Sequence, residues 1–181
     1  SSNPCSEYMF LDDTSCNLAS LNLLKFSDSK GNFDIETHKK AIRIFTIAQD
    51  IANDAGSYPN KDIAKISPEF RTIGLGYANL GSLIMRRGFP YGSEEGRALA
   101  ASLTAILTGE SYLASIEMAK SLGTFVHYEF NKEPMIEVME KHRNNLNNVK
   151  WEHLDDKLKD ESYSIWDKVI IEGKKHGFRN A

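Results

Sequence analysis

SEEGRALAASLTAILTGESYLASIEMAKSLG, residues 93–123, is the stretch most informative about the fold, because it predicts one long helix with a continuous apolar side. Ser93 is placed to cap the first turn, and Gly123 is placed to end the helix. Between them, apolar residues recur at the spacing of a helix that packs against a core: Ala98, Leu99, Leu103, Ile106, Leu107, Leu113, Ile116 and Ala119. The sequence therefore predicts a mostly helical fold in which this is the longest element.

Helical patterns also precede this helix. Asp34 and Gly56 mark the start and the end of a predicted helix. Its apolar residues recur at three- and four-residue spacing: Ala41, Ile44, Phe45, Ala48, Ile51, Ala52 and Ala55. Residues 57–68 contain two prolines and predict a loop. Residues 74–87 predict a compact helix that ends at a glycine.

The two ends of the chain differ in pattern. Residues 16–24 alternate apolar and polar side chains loosely, which predicts a short strand within the otherwise irregular segment 1–26. Downstream, helices are predicted at about 133–145 and 161–175, separated by a polar, loop-rich segment. The expected fold class is thus mostly α with short strands.

The composition is that of an ordinary globular chain. It has 181 residues, of which 41% are hydrophobic and 26% charged, enough for one sizeable core. The formal net charge of −3 offers no clustered basic face for a nucleic acid backbone. No apolar run approaches the roughly 20 residues of a membrane span, and no signal peptide is visible. We expect a cytoplasmic protein that binds neither nucleic acid nor a membrane.

Two cysteines, Cys5 and Cys16, are the first candidates for a chemical role. A disulfide-stapled secreted chain of this size would carry more of them. In an extended segment alternate residues point the same way, so Asn3, Cys5 and Glu7 would bring an amide, a thiol and a carboxylate to one spot. Spacing alone leaves two simpler interpretations open: structural buried thiols, or a direct disulfide between the two cysteines.

Asn-Pro-Cys-Ser-Glu at residues 3–7 is followed by Ser-Cys-Asn-Leu-Ala-Ser-Leu-Asn-Leu at residues 15–23. These segments resemble the catalytic stretch of ribonucleotide reductase large subunits, in particular the adenosylcobalamin-dependent class II enzymes. The match is specific because two cysteines, an amide and a carboxylate coincide. The likeness covers nearly the whole chain and continues in further segments: residues 71–81, 91–97 and 107–112, Trp166, and residues 176–181.

The resemblance implies a role for each residue of the first two segments. Cys5 corresponds to the cysteine that becomes a thiyl radical and abstracts the ribose 3′ hydrogen. Glu7 corresponds to the carboxylate that takes the 3′-hydroxyl proton, and Asn3 to the amide that binds the ribose hydroxyls. Residues 3–7 (Asn3, Pro4, Cys5, Ser6 and Glu7) would thus bind substrate. Cys16 corresponds to one of two cysteines that supply reducing equivalents, and its family partner has no counterpart here.

The same resemblance implies the surroundings of the site. Residues 1–181 would be one segment of a ten-stranded α/β barrel, with a finger loop and strand in 1–26 and a helical surround in 34–181. The full enzyme would use adenosylcobalamin, a ribonucleotide substrate (expected to be a diphosphate), a thioredoxin-type reductant and a homo-oligomeric assembly. The chain starts without Met and stops without a tail. We interpret both ends as cuts, so the segment alone is expected to be inactive.

Two alternative functions stay open at this point. One is a class I large subunit, which receives its radical from a separate metal-containing subunit. The other is a non-catalytic helical interaction module with structural cysteines.

Gly74-x-Gly76 lacks the third glycine of a dinucleotide fingerprint and is interpreted as a helix-packing feature. The five histidines show no metal-ligand spacing, so no metal site is predicted.

Overall fold

The computed structural model describes residues 2, 9 and 11–181. In this part of the chain, helices dominate and two strands are present. The elements are β1 (Asn17–Asn22), α1 (Ile35–Ala55), α2 (Lys61–Phe70), β2 (Ile73–Ala78), α3 (Leu80–Arg86), α4 (Glu94–Leu122), α5 (Tyr128–Asn145) and α6 (Asp156–His176). Single 3-10 turns cover Leu23–Phe26, Leu146–Asn148 and Trp151–His153. The predicted fold class, mostly α with few strands, is confirmed. The described residues do not close a barrel.

The long helix α4 has the bounds that its sequence predicts. The Ser93 hydroxyl accepts a hydrogen bond from the Gly96 amide at 3.1 Å, and Gly123 ends the helix at a φ of +83°. All of the predicted apolar face is buried except Leu113, which is half-buried. By length and hydropathy α4 could cross a membrane, but 61% of its most apolar window is buried inside the protein. That burial is typical of a core helix.

Helix α6 packs closely along α4 because a glycine lies at their crossing. A Cβ at Gly109 would come within 2.3 Å of the Ile165 side chain, so only glycine fits there. Beside it, the Trp166 indole donates a hydrogen bond to the Ala105 carbonyl at 3.1 Å. Helix α1 packs against another side of α4. Helix α4 thus lies at the centre of the core.

The two strands pair in parallel, with Asn17 opposite Ile73 and Asn22 opposite Ala78. Helices α1 and α4 pack on the sheet. On the strand face that meets these helices, Leu21 is buried. On the other face Leu18 is 67% exposed. Side chains alternate across a strand, so one face of this sheet is covered by helices and the other is open.

Helix α1 begins after Asp34 and ends before Gly56, as predicted, and the Asp34 carboxylate accepts a hydrogen bond from the Thr37 amide at 3.0 Å. Its orientation is the unexpected feature. The buried side of the helix carries mostly polar residues: His38, Ile42, Thr46, Gln49, Asp50 and Asn53. Much of the apolar pattern faces outward, with Ile44 at 65% and Ile51 at 59% exposed. The partners of the polar side, described below, explain this orientation.

Two upstream predictions are wrong. Part of the predicted loop 57–68 is helix α2, capped by Asn60, with Pro68 in its last turn. The predicted helix over 74–87 is instead strand β2 followed by the short helix α3. Asn79, at a φ of +68°, turns the chain between them. Residues 73–78 adopt a strand because β1 offers a parallel partner, which a local pattern cannot show.

Two downstream helices start earlier than predicted. Helix α5 begins at Tyr128, whose ring is buried against Gly177, instead of about 133. Helix α6 begins at Asp156 instead of 161, because the Asp155 carboxylate caps it and Leu158 is buried in its first turn. In both helices the first turn is polar in sequence, and the tertiary contact of one buried side chain stabilises it.

A buried ion pair joins α1 to the start of β2. The Arg71 guanidinium donates to Asp50 Oδ1 at 2.8 Å and to the two carboxylate oxygens of Asp54 at 2.6 and 2.9 Å. The Asn180 amide donates to Asp50 Oδ1 at 2.9 Å and to the Arg71 carbonyl at 3.1 Å. The polar side of α1 therefore faces inward because it holds both β2 and the C-terminal residues in place.

A buried histidine lies at the other end of the inner side of α1. The His38 ring is fully buried, with its centroid 4.9 Å from that of Phe26 and 5.1 Å from that of Phe33. Neither ring nitrogen has a hydrogen-bond partner among the described residues. Burial therefore disfavours the charged imidazolium and lowers the pKa of His38 to about 4.

We expect Arg71→Met to lower the free energy of unfolding by about 3 kcal/mol, because the buried Asp50 carboxylate then keeps only the longer ion pair with Arg179, whose Nε lies 3.6 Å away. Urea denaturation of this chain measures the change. The control is Arg97→Met, which removes an exposed arginine paired with Glu94 and should hardly move the denaturation midpoint. Equal effects of the two substitutions would contradict the anchoring role.

His38 predicts an acid-dependent loss of stability. The unfolded chain gains a proton at this residue as the pH falls through 6.5, whereas the folded chain keeps His38 neutral down to about pH 4. Stability should therefore fall over that window, by roughly 3 kcal/mol in total. His38→Phe should flatten this part of the profile, and His153→Gln, at a half-exposed position, should keep it. An unchanged slope in His38→Phe would argue against this assignment.

Candidate active site around Cys16

Residues 3–7, which include Asn3, Cys5 and Glu7, lie outside the described residues. On either side of them, Ser2 and Met9 pair in an isolated antiparallel bridge. Of the four residues predicted to be catalytic, the structure describes Cys16. The site is therefore built here from Cys16 outward.

Cys16 immediately precedes β1, and its side chain is half-buried. The sulfur lies 3.6 Å from the carbonyl oxygen of Asn17. It also lies over the neighbouring strand, because a Cβ built on Gly74 would be 3.2 Å from the sulfur and 2.6 Å from Leu18 Cδ2. Cys16 and Leu18 thus share one face of the sheet, and Gly74 lies beneath both side chains.

This face of the sheet is open, and we call it the open face. Its side chains in β1 are the exposed Leu18, Ser20 and Asn22, and across the ladder lie Gly74, Gly76 and Ala78. Because Gly74, Gly76 and Ala78 have small side chains or none, few atoms of β2 project from the sheet beside the thiol. The face is polar at Ser20 and Asn22 and apolar at Leu18.

The opposite side of the sheet is fixed by one amide side chain. Gln49 Nε2 donates to the carbonyl of Asn17 at 2.8 Å and to that of Gly74 at 2.9 Å. The Asn17 amide donates back to the Gln49 carbonyl at 3.4 Å. On the other side of Cys16, the hydroxyl of Ser15 donates to that of Ser67 at 2.9 Å. The backbone is therefore held on both sides of the thiol.

Gln49, Asp50 and Asp54 help to position the site but are not among the residues predicted from the sequence. The sequence does carry a signal for them, because polar residues recur at helical spacing at 46, 49, 50 and 53 within the predicted helix. Arg71 and Asn180 do lie in the segments that carry the family resemblance. The structure brings these two segments into direct contact.

Hydrogen bonds stabilise the charged forms of Asp54 and Arg71, which lie beside the sheet. Hydrogen bonds from Arg71 hold the pKa of Asp54 below its ordinary value, although burial alone would raise it. Burial would lower the pKa of Arg71, but its bonds to Asp54 and Asp50 outweigh this and raise it. Both groups stay charged across the physiological range, so they serve as fixed anchors and do not exchange protons.

Three tyrosines, Tyr77, Tyr91 and Tyr112, lie in the segments that carry the family resemblance. Tyr77 is half-buried, and its hydroxyl lies 2.7 Å from that of Thr104. The Tyr112 ring packs edge-on against Phe178 and lines a cleft of about 130 Å³. Tyr91, in contrast, is 72% exposed. The two glycines interpreted as helix packing, Gly74 and Gly76, lie in β2, so that interpretation is wrong.

No group of three or more His, Cys, Asp or Glu side chains within residues 11–181 could hold a metal ion. We assign no described residue to the binding of a metal ion or of cobalamin.

This chain is similar in sequence to known proteins. The family model described as ribonucleotide reductase, barrel domain, matches residues 1–181. A vitamin B12-dependent ribonucleotide reductase of Rhodopirellula baltica is 50% identical over 99% of this chain, and one of Agrobacterium fabrum is 46% identical over 99%. A vitamin B12-dependent ribonucleoside-diphosphate reductase of Thermoplasma acidophilum is 30% identical over 69%. The chain spans 17%, 15% and 16% of the lengths of these three relatives.

Proposed function

The chain belongs to the ribonucleotide reductase barrel-domain family, and on that premise we propose that it supplies part of the active site for reducing ribonucleotides to 2′-deoxyribonucleotides. The observation that carries the proposal is the family match over all 181 residues, which includes the segment Asn-Pro-Cys-Ser-Glu. The position of Cys16 beside an open, glycine-lined sheet face supports it. Because the relatives are much longer, the activity belongs to the complete polypeptide.

In the proposed mechanism, residues 3–7 start the reaction. The Cys5 thiyl radical takes the 3′ hydrogen atom of the ribose and becomes a thiol. Glu7 accepts the 3′-hydroxyl proton while the 2′-hydroxyl leaves as water, and Asn3 holds the hydroxyls by hydrogen bonds. The hydrogen atom returns to C3′ at the end of the cycle, which regenerates the radical at Cys5.

Cys16 acts in the reducing step of this mechanism. Its thiol and a second cysteine thiol together give two electrons and two protons and become a disulfide. Those electrons and protons balance the loss of the 2′-hydroxyl as water. A thioredoxin-type dithiol then reduces the disulfide by exchange. The second cysteine lies outside residues 1–181, because the only other cysteine of the chain is Cys5.

The proposed cofactor is adenosylcobalamin. The names of the relatives support it, since they are called vitamin B12-dependent. When bound, this cofactor supplies the radical that oxidises the active-site cysteine, and the protein supplies placement. The name of the Thermoplasma acidophilum relative supports a nucleoside diphosphate as substrate. A cytoplasmic location and a homo-oligomeric assembly complete the proposal.

The two alternative functions have less support. A class I large subunit would share the residues of the site but would need a second protein as its radical source. The names of the relatives favour the cobalamin-dependent class. For a helical interaction module with structural cysteines, the half-buried thiol on an open face is an unfavourable observation, because structural cysteines are typically buried.

Cys5→Ala in the complete natural polypeptide should abolish deoxyribonucleotide formation, because alanine cannot hold the radical. Product formation from a ribonucleotide, measured by chromatography, tests this. The control is Met9→Ala, an exposed residue of the same N-terminal segment, which should keep the activity. Unchanged turnover in Cys5→Ala would remove the basis of the proposed mechanism.

The source of the radical gives a second test. The complete polypeptide, purified alone, should form product when adenosylcobalamin and a dithiol are added, and should be inactive without the cobalamin. Product that appears only after addition of a separate metal-containing subunit would instead identify a class I enzyme.

A further inference from the structure

We infer that Gly74 positions the Cys16 thiol, because its missing side chain leaves the space that the sulfur occupies on the open face. The inference rests on the proposed function, in which Cys16 is a reducing thiol. Gly74 touches neither substrate nor cofactor in this view. It is a positioning residue that acts through Cys16.

The contact distances define the space. A Cβ at position 74 would lie 3.2 Å from Cys16 Sγ, so the sulfur would have to move by a few tenths of an ångström. It would also lie 2.6 Å from Leu18 Cδ2. Leu18 is largely exposed and can rotate away into solvent. Cys16 has less freedom, because its two neighbours are held: the Ser15 hydroxyl bonds to Ser67, and the Asn17 carbonyl accepts from Gln49.

Backbone conformation does not explain the glycine. Gly74 is absent from the glycines with positive φ, which in the described residues are Gly31, Gly88, Gly123 and Gly177. Within a strand, alanine costs less conformational entropy than glycine. The bond from Gln49 uses the Gly74 carbonyl, which any residue would provide. The space for the neighbouring side chains is therefore the remaining reason for a glycine here.

Gly76 provides the matched control within the same strand. It lies on the same face, two residues further along, and its φ is also outside the positive range. A Cβ at Gly76 would meet its nearest side-chain atom, Ser20 Oγ, at 3.7 Å, which is an ordinary contact. Gly74→Ala and Gly76→Ala thus make the same chemical change, and only the first one crowds the thiol.

The first experiment measures the thiol itself. In the complete polypeptide, the rate at which iodoacetamide alkylates Cys16 is followed by peptide mass mapping, which separates it from other cysteines. We expect Gly74→Ala to slow the alkylation by about threefold or more, because the new methyl group covers one side of the sulfur. Gly76→Ala should stay close to the parent rate, and both variants should keep the thermal midpoint of the parent.

The second experiment measures turnover with a dithiol reductant. Moving a reacting group by a fraction of an ångström to one ångström costs about tenfold or more in rate. We expect kcat to fall by about that factor in Gly74→Ala with little change in KM for the nucleotide, whereas Gly76→Ala keeps the parent kcat. Equal alkylation rates and equal kcat in the two alanine variants would overturn the inference.

A third variant separates the two contacts of position 74. Leu18→Ala combined with Gly74→Ala removes the 2.6 Å contact and leaves only the contact with the sulfur. The double variant should keep the slow alkylation and low kcat, relative to Leu18→Ala alone. It also provides the test if Gly74→Ala by itself folds poorly. Recovery of both rates would assign the effect to Leu18 and overturn the role of Gly74.

Cys16→Ser separates this inference from the proposed function. Loss of turnover with the dithiol in Cys16→Ser, together with parent-like behaviour of Gly74→Ala, would keep the proposed function and reject the positioning role. Parent-like turnover in Cys16→Ser would reject the reducing role of Cys16 itself, and with it the inference drawn for Gly74.

Discussion

The buried ion pair between Asp50 and Arg71 sets the orientation of α1, and through α1 it sets the position of the sheet. Asp50 belongs to α1, Arg71 leads into β2, and Asn180 bonds to both near the C-terminus. Two buried charges are tolerated only where each is neutralised and hydrogen-bonded. Helix α1 must therefore turn its polar side inward. That requirement explains why Ile44 and Ile51 are exposed although their spacing is that of an apolar helix face.

The same orientation of α1 places Gln49 at the sheet. One residue before Asp50, its amide joins the first backbone carbonyl of β1 to a carbonyl of β2. The ion pair sets the orientation of α1. Through Gln49, α1 then holds β1 and β2 in register, and the sheet sets the position of Cys16. Helix α4 packs on β2 from the covered face of the sheet, and it contributes the largest part of the core. The thiol thus lies on a rigid support and beside an open surface.

That combination suits the chemistry proposed for the family. A thiol that takes part in disulfide exchange needs access to a partner and a defined position. The open face gives access, and the clamp of Gln49 and the Ser15–Ser67 bond give the position. Gly74 adds the third requirement, which is space for the sulfur. None of these supporting residues carries out a chemical step itself, and each one helps to set the position of Cys16.

The sequence predicts the local features correctly: the bounds of α1 and α4 from their caps, the helical character, the strand near Cys16, and the family through residues 3–7 and 15–23. It wrongly predicts helix for residues 74–78 of β2, because a strand needs a partner that lies far away in the sequence. It also could not show which side of α1 is buried, since the partners of Asp50 come from Arg71 and Asn180. Tertiary structure alone decided the position of Gly74 under the thiol. Local pattern records propensity and periodicity, whereas a contact across two strands exists only once the chain has folded.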